Sequence, residues 1–368
     1  CAEILAALGA DVVKVERPEG GDDCRGWGPP FPSGMGTAFQ VLNLNKRSIT
    51  LDMKDPAALA WLRDYIGQSD ILIHNMRPGV VDTLGIDGPS LCARHPRLIY
   101  CEISGFGATG PMKKLPAFEP VAQAFSGILS INGNPDAPPA RLGVSVVDMG
   151  TAMWTVIGAL SALHQREISG KGGVVNTSLL ETALAWAGPH IAGFLNEGRT
   201  PKRLGTAHPH LVPYQTFEAA DGSLLIAAGN DRLFERLCGA LGVPEWKTDP
   251  RFVGNRARIQ NRVELIKRWS YPEFADMPLR FKYAVDDPDA PGGRQVLGAD
   301  VHRRQHDEQA DHQFLPHAQP PPSASAPTSP MNTSAGCALY HRNPSEAPVI
   351  APQKIVNSLA PGVRDSSR

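Results

Sequence analysis

The feature that most constrains the fold is an alternation of short apolar strands with helical patterns in the first hundred or so residues. The helical patterns include CAEILAALGA and DPAALAWLRDYIGQ, and the strand patterns are DVVKVERP, RSITLDM, DILIHNM and LIYCEISGFG. Such alternation predicts an α/β fold, in which helical crossovers connect the strands of a parallel sheet. Asp55 and Pro56 predict a helix start, as an N-cap followed by proline at the first helical position. Ligands of such sheets bind beyond the carboxyl ends of the strands, here at ERPEGGD, HNMRPG and ISGFGATGP.

The rest of the chain divides by composition. A hairpin is predicted at YQTFEAADGSLLIAAG, and helical patterns continue at Phe118–Leu129, Met149–Gln165 and Leu179–Leu195. We expect a large α/β domain over residues 1–195 and a smaller α+β domain over residues 196–266. Because the chain opens at Cys1 inside a helical pattern, we expect the first strand of the large domain to be missing. Residues 267–368 are rich in Pro, Ser and His, and we expect an irregular tail there.

The charge balance and the cysteine pattern exclude several classes of protein. The 36 Lys and Arg residues nearly balance the 37 Asp and Glu residues, so no nucleic-acid partner is indicated. No apolar run reaches about eighteen residues, and no membrane span is expected. The 6 cysteines are scattered, which favours a reducing compartment: the cytoplasm, or the mitochondrion in a eukaryote. The histidines of the tail lack partners at metal-ligand spacing, so no metal site is predicted there.

Asp148 is the only charged residue in the apolar stretch GVSVVDMGTAMWTVIGALSAL. An Asp before an apolar helix commonly caps that helix, because its side chain accepts a hydrogen bond from a first-turn N–H. A carboxylate can also act as a nucleophile and form a covalent intermediate with an acyl group. The local sequence leaves both roles open.

Several longer motifs occur in a fixed order between Cys1 and Ile266. They are LGADVVKVERPEGGDDCRGWGPPF, NLNKRSITLDMKDP, HNMRPGVVDTLGID, HPRLIYCEISGFGATGP and VDMGTAMWTVIGALSALHQREISGKGGVVNTSLLETAL. Together they resemble the class III CoA-transferases, the family that includes formyl-CoA transferase and carnitine CoA-transferase. The resemblance implies a nucleotide-binding-type α/β domain, a smaller domain and an interlocked homodimer. It also implies that Asp148 is the nucleophile in the transfer of CoA from an acyl-CoA to a carboxylic acid. CoA would then be a substrate, with no permanently bound cofactor.

The family positions that contact CoA fall within the motifs that contain the first three strand patterns or, for Lys54, directly after one of them. The resemblance assigns this role to Arg17, Arg47, Leu51, Lys54, Asn75 and Met76, with Lys46 as a weaker match. The phosphates of CoA favour Arg and Lys, although such side chains are also common on a solvated surface. Two departures are Thr83 and Pro116, which stand where formyl-CoA transferase has Arg and Lys, and Arg77 is a candidate substitute near Thr83.

The resemblance also provides candidates for contacts with the reacting groups. Gly150 and Gly205 are candidate oxyanion donors, because glycine lets the backbone approach a ligand closely. The loop GTAHPHLVPY is similar to that of the branch acting on succinyl-, glutaryl- and related dicarboxyl-CoA. Within this loop His208 and His210 are candidates to meet an acceptor carboxylate, and the alternative is that they are loop histidines without a catalytic role.

Two other functions stay open. The alpha-methylacyl-CoA racemases share many of these motifs but need a His as a second base. In this chain Phe118 and Glu119 occupy that place, and no His lies between His95 and His164, so the sequence favours the transferase. The remaining alternative is a truncated, inactive member of the family.

Overall fold

The structure, a computed structural model, describes residues 1–219, 222–269 and 337–341. Its strands are β1 (Asp11–Glu16), β2 (Lys46–Thr50), β3 (Ile71–His74), β4 (Ile99–Ser104), β5 (Gly173–Ser178), β6 (Tyr214–Ala219), β7 (Gly222–Ala227) and β8 (Cys337–His341). Its helices are α1 (Ala2–Ala7), α2 (Thr37–Leu42), α3 (Pro56–Gly67), α4 (Val80–Leu84), α5 (Gly88–Arg94), α6 (Glu119–Phe125), α7 (Ile128–Ile131), α8 (Val146–Ser169), α9 (Leu179–Trp186), α10 (Gly188–Glu197), α11 (Asp231–Ala240), α12 (Gly254–Gln260) and α13 (Arg262–Trp269).

The described residues form two compact units. The first unit contains Cys1–Ala122, Val146–Thr182 and β8, and the second contains Gln123–Ser145 and the described residues from 183 to 269. This division differs from the predicted boundary between residues 195 and 196. Within the second unit, the loop at 130–136 is hydrogen-bonded to residues 203–205. Gly205 N donates to Gly133 O (3.0 Å), and Arg203 Nη1 donates to Ser130 O (3.2 Å).

The sheet of the first unit confirms the predicted α/β class. In the described part of the chain it has six strands in the order β2-β1-β8-β3-β4-β5. The pairs β1–β2, β3–β4 and β4–β5 are parallel, and Tyr100 lies opposite both Leu72 and Val174. Asp55 caps α3 as predicted, because its side chain accepts from Ala57 N (3.0 Å). The carboxyl ends of the parallel strands therefore meet at one edge, where ligands of such sheets bind.

The strand β8 corrects the prediction of an irregular tail. It pairs antiparallel with both β1 and β3, with Val13 and Leu72 each opposite Leu339. Residues 267–269 are also ordered, as the end of α13. As a central strand, β8 provides backbone hydrogen-bond partners for β1 and β3, which would otherwise present unpaired edges. These five residues are therefore positioned by strands that are distant in the sequence. The remainder of the predicted tail lies outside the described residues.

The core of the first unit lies on both faces of the sheet. Side chains of a strand alternate between faces, so Ile71 and Ile73 of β3 point to one side and Leu72 to the other. Leu72 packs in a cluster with Leu62 and Ile66 of α3. The opposite face packs against apolar residues of α1 and α8, namely Leu5, Val156 and Ala159.

Helix α8 is longer than the predicted Met149–Gln165, since it begins at Val146 and ends at Ser169. By length and hydropathy alone α8 is the one described helix that could cross a membrane. However, it packs on β4 and β5, and its buried Arg166 donates to Asp70 Oδ1 (2.8 Å). A core helix passes the same length and hydropathy test, so nothing here points to a membrane.

Two predicted helices are each divided in the structure. The pattern at Leu179–Leu195 becomes α9 and α10, because Gly188 and Pro189 interrupt it. The pattern at Phe118–Leu129 becomes α6 and α7, with Gly127 between them at a φ of 84°. In the second unit β6 and β7 form the predicted antiparallel hairpin, whose turn at residues 220–221 lies outside the described residues.

Candidate active site

Asp148 lies inside the first turn of α8. Because α8 begins at Val146, Asp148 is its third residue and does not occupy the N-cap position, which was one of the two roles that the sequence left open. The residue is exposed, whereas its neighbours Val147 and Gly150 are buried. The positive end of the helix dipole favours the ionised form of an acid at this position. The geometry therefore presents a carboxylate to solvent at a helix N-terminus.

The backbone beside Asp148 is held at both of its polar groups. Val147 N donates to Oε1 of Glu119 (3.4 Å), and Glu119 is only 4% exposed. Val147 O accepts from the buried hydroxyl of Thr151 (2.7 Å), which also lies 2.9 Å from Oγ1 of Thr182. These contacts fix the turn that carries Asp148 to α6 and α9. The sequence placed Glu119 only at the position of the racemase histidine, and no local signal indicated that it supports this turn.

The predicted glycine donors are not placed as expected for an oxyanion site. Gly150 is the fifth residue of α8, where the N–H belongs to the internal hydrogen bonds of the helix. Gly205 donates its N–H to Gly133 O (3.0 Å) and adopts a φ of 61°. Its conformational freedom therefore serves a turn in the second unit, and its N–H is already used.

Most of the predicted CoA residues follow the carboxyl ends of the first three strands. Arg17 follows β1, Leu51 and Lys54 follow β2, and Asn75 and Met76 follow β3. Lys54 and Asn75 are exposed, whereas Met76 is 4% exposed and packs in the core. Leu51 N donates to Glu16 O (2.8 Å), which continues the β1–β2 pairing past the end of β2. The structure thus brings these five residues to one edge of the sheet.

Arg47 is not brought to that edge. It lies within β2 opposite Val13, and its guanidinium binds the Asp11 carboxylate at the start of β1. The Nε–Oδ1 and Nη2–Oδ2 distances are 3.0 and 2.6 Å. A bidentate pair of this kind occupies the donors that a phosphate would use. Arg47 therefore lies toward the amino ends of the strands.

Other predicted cations are also engaged. Arg17 forms an ion pair with Asp23 and donates through Nε to Glu19 O (2.9 Å). Lys46 Nζ donates to Asn43 Oδ1 (3.0 Å), and burial together with nearby Lys14 lowers the Lys46 pKa to about 8. Thr83, which stands where formyl-CoA transferase has Arg, donates its hydroxyl hydrogen to Gly79 O (3.0 Å).

A buried carboxylate organises the loop that follows β1. Glu16 accepts from Arg25 Nε (2.8 Å) and Nη2 (2.9 Å), from Ser48 Oγ (2.6 Å) and from Asp22 N (2.9 Å). The Arg25 guanidinium lies 3.9 Å from the ring centre of Phe39. The bonds from Arg25 lower the Glu16 pKa to about 2, although burial alone would raise it. Arg25 was not among the sequence candidates, although it stands in the same motif as Arg17.

A second buried polar residue holds the turn after β3. His74 is 2% exposed, and its Nε2 lies 2.6 Å from the hydroxyl of Tyr100. Met76 N donates to His74 Nδ1 (3.3 Å), so the neutral ring carries its proton on Nε2. Burial lowers the His74 pKa to about 4, which keeps the ring neutral at physiological pH. The buried His74 therefore anchors the turn that exposes Asn75.

In the second unit, His208 and His210 lie in the loop between α10 and β6. His208 is half-buried and His210 is exposed. Phe118 and Glu119, which occupy the place of the racemase histidine, are exposed and buried respectively. Among the described residues, no cluster of His, Cys, Asp and Glu has the arrangement of a metal site.

Comparison with known proteins identifies the family. The sequence model for CoA-transferase family III matches residues 1–270. The chain is 39% identical to the succinate–glutarate CoA-transferase of Agrobacterium fabrum, over 72% of this chain and 67% of that protein. It is 40% identical to the acetyl-CoA:oxalate CoA-transferase of Acetobacter aceti, over 71% of this chain and 67% of that one. With the succinyl-CoA:glutarate CoA-transferase of Mus musculus it shares 38% identity, over 72% of this chain and 60% of that protein.

The fold is also similar to solved structures. A CAIB/BAIF family protein from Brucella suis matches with a TM-score of 0.65 and 38% identity, over 76% of this chain and 74% of that one. The α/β fold is that of the CAIB/BAIF proteins, and the chain belongs to CoA-transferase family III. Members of this family use CoA as a substrate. The relatives named here are all CoA-transferases, so they do not favour the racemase alternative.

Proposed function

We propose that this protein transfers CoA from an acyl-CoA thioester to a free carboxylic acid through a covalent intermediate on Asp148. The observation that carries the proposal is the exposed carboxylate in the first turn of α8, next to a backbone fixed by Glu119 and Thr151. An ionised carboxylate in a rigid, positively polarised environment suits attack on a carbonyl.

The reaction proceeds in successive steps, each of which breaks one bond to an acyl carbon and forms another. An oxygen of Asp148 attacks the thioester carbonyl, the C–S bond breaks, and CoA leaves as a thiolate from a mixed anhydride. The thiolate attacks the aspartyl carbonyl, which releases the donor acid as a carboxylate and leaves an aspartyl-CoA thioester. The acceptor carboxylate attacks this thioester and expels the thiolate, which then attacks the acceptor carbonyl and regenerates Asp148.

Buried thiols do not compete with Asp148 as nucleophile. Burial raises the pKa of Cys24 and of Cys101 to about 12 in each case. Both thiols are therefore protonated near neutral pH, and the thiolate is the reactive form of cysteine.

We assign CoA binding to the carboxyl edge of the sheet, at Arg17, Leu51, Lys54, Asn75 and Met76. Lys54 provides an exposed ammonium for a phosphate, and Asn75 provides an exposed amide. Dicarboxylic acids are the proposed substrate class, since the relatives are named for succinate, glutarate and oxalate. The active form is proposed to be a homodimer, supported by the exposed apolar residues Met149, Met153 and Ile157 on one face of α8.

Exchange of labelled CoA into an acyl-CoA tests the chemistry. The wild type is expected to catalyse this exchange without acceptor acid, and Asp148→Asn is expected to lose it by at least about a thousandfold. Hydroxylamine added after acyl-CoA should convert Asp148 of the wild type to a hydroxamate, detected by peptide mass. Exchange by Asp148→Asn at more than a tenth of the wild-type rate, with no deamidation, would refute the assignment.

A further inference from the structure

Two lysines of neighbouring strands in the first unit share one hydrogen-bond acceptor. Lys14 belongs to β1, and Lys46 is the first residue of β2, which pairs with β1. Lys14 Nζ donates to Asn43 Oδ1 (3.2 Å), and Lys46 Nζ donates to the same oxygen (3.0 Å). One neutral amide oxygen therefore serves two amino groups, which repel each other when both are charged.

Only one of the two lysines has a carboxylate. Lys14 forms an ion pair with Asp22 through Oδ2. The other oxygen of Asp22 accepts from the backbone N and the thiol of Cys24, each at 2.9 Å. Among the residues that the structure describes, no Asp or Glu side chain forms an ion pair with Lys46. Lys46 is thus a half-buried amine whose hydrogen-bond partner is a neutral amide.

The surroundings of Lys46 favour its neutral form. Burial and then the Lys14 ammonium lower the Lys46 pKa to about 8. Three acidic groups act in the opposite direction, each with a smaller effect, namely Asp22, Glu3 and Cys24. At that pKa about a tenth of the amine is neutral at pH 7. The neutral amine is the nucleophilic form of lysine.

The hydrogen bonds around Lys46 suit an amide as well as an amine. Acylation leaves one hydrogen on Nζ, and this hydrogen can still be donated to Asn43 Oδ1. It also removes the repulsion between Lys46 and Lys14. Acylation of Lys14 would instead break the pair with Asp22 and leave a half-buried carboxylate without its cation. The two lysines therefore differ in what acylation costs the fold.

We propose that Lys46 is a site of covalent modification by acyl-CoA thioesters, and that this acylation does not pass through Asp148. The inference rests on the function proposed above only for the acylating agent. The neutral Nζ attacks the thioester carbonyl, a C–N bond forms and the C–S bond breaks. CoA leaves as a thiolate, which takes up the proton that the amine loses. The assigned CoA residues follow the carboxyl ends of the strands, whereas Lys46 begins β2, so the acyl-CoA arrives from solution.

Peptide mass spectrometry of the full chain tests this modification. The protein is incubated with butyryl-CoA at pH 7.5, and butyrylation is timed at Lys46, at Lys14 and at the exposed Lys171. We expect Lys46 to react at least about tenfold faster than either of the other two, with a half-maximal rate near pH 8. A rate at Lys46 no greater than that at Lys171 would overturn the proposal.

Two variants change the charge beside Lys46 and leave its own side chain intact. Asn43→Asp puts a carboxylate in the place of the shared amide, and Lys14→Met removes the neighbouring cation and releases Asp22. Each should slow the butyrylation of Lys46 about tenfold. Asn43→Ala removes the same hydrogen bond without adding charge and should not slow it. Unchanged rates in both charge variants, or an equal slowing in Asn43→Ala, would overturn the proposal.

Asp148→Asn separates this inference from the transferase function. Lys46 should be butyrylated in Asp148→Asn at the wild-type rate, while exchange of labelled CoA into butyryl-CoA is lost. Loss of the Lys46 modification in this variant would overturn the proposal, because the acyl group would then have passed through Asp148. A wild type without CoA exchange but with rapid butyrylation of Lys46 would refute the transferase function and leave the modification site standing.

Discussion

Replacement of Glu16 by Gln is expected to loosen the loop that follows β1. Glu16 is 6% exposed and accepts both Nε and Nη2 of Arg25. The drop of its pKa from 4.5 to about 2 corresponds to at most about 3.5 kcal/mol, at about 1.4 kcal/mol per pKa unit. The Arg25 side chain is 33% exposed, so water screens the pair, and we expect Glu16→Gln to lower the free energy of unfolding by about 1–2 kcal/mol.

The pH dependence gives the sign of this effect. Because the folded pKa of Glu16 lies below its unfolded value, the stabilisation is complete above about pH 4.5 and is lost as pH falls toward 2. Urea unfolding, monitored by hydrogen exchange of peptides from β1 and β2, measures the loss of unfolding free energy in the first unit. A double-mutant cycle with Arg25→Gln isolates the pair. A coupling energy below about 0.3 kcal/mol, or the same acid dependence in Glu16→Gln as in the wild type, would refute the reasoning.

Two other supports of the site give predictions of their own. Glu119→Leu removes the acceptor for Val147 N and is expected to lower kcat for CoA exchange about tenfold. Glu119→Gln keeps an acceptor oxygen and should retain most activity. Equal losses in the two variants would contradict this supporting role. His74→Phe removes the acceptor for Met76 N and should raise the KM for acyl-CoA about tenfold, while kcat changes by less than about threefold. Tyr100→Phe should have a smaller effect on KM. A fall in kcat at unchanged KM would show that the turn does not serve CoA binding.

The predictable parts of the fold are those fixed by local sequence. The strands β1 to β4 depend on local apolar runs, and the Asp55 cap depends on a side chain two residues from its partner. The position of β8 depends on pairing with β1 and β3, more than two hundred and fifty residues earlier in the chain, and CALYH carries no local sign of that. The start of α8 was set three residues late, because Val146 and Val147 are compatible with a strand as well as a helix.

The exposed candidate residues could be selected from the sequence, whereas the buried residues that support them could not. The family resemblance located Asp148, Lys54 and Asn75, which are exposed at a helix start or at the ends of strands. It also selected Arg47, but sequence cannot show that Asp11 lies within reach across the sheet. Gly205 was selected for its freedom of conformation, and the structure uses that freedom for a turn whose N–H binds Gly133.

A common arrangement connects the exposed groups of the first unit with buried polar ones. Asp148 follows a residue held by Glu119, Asn75 follows His74, and the loop after β1 is tied to Glu16. Each of these three anchors is at most 6% exposed. Burying a polar group costs free energy unless it is hydrogen-bonded, and an apolar residue could fill the same volume without that cost. The anchors accept hydrogen bonds from backbone N–H groups. These N–H groups lie within two residues of the exposed candidate residues or in the loop beside them. Such anchors limit the motion of exposed side chains that cannot be fixed by packing, and the transfer proposed above, through a reactive anhydride, requires this of the residues that would hold CoA.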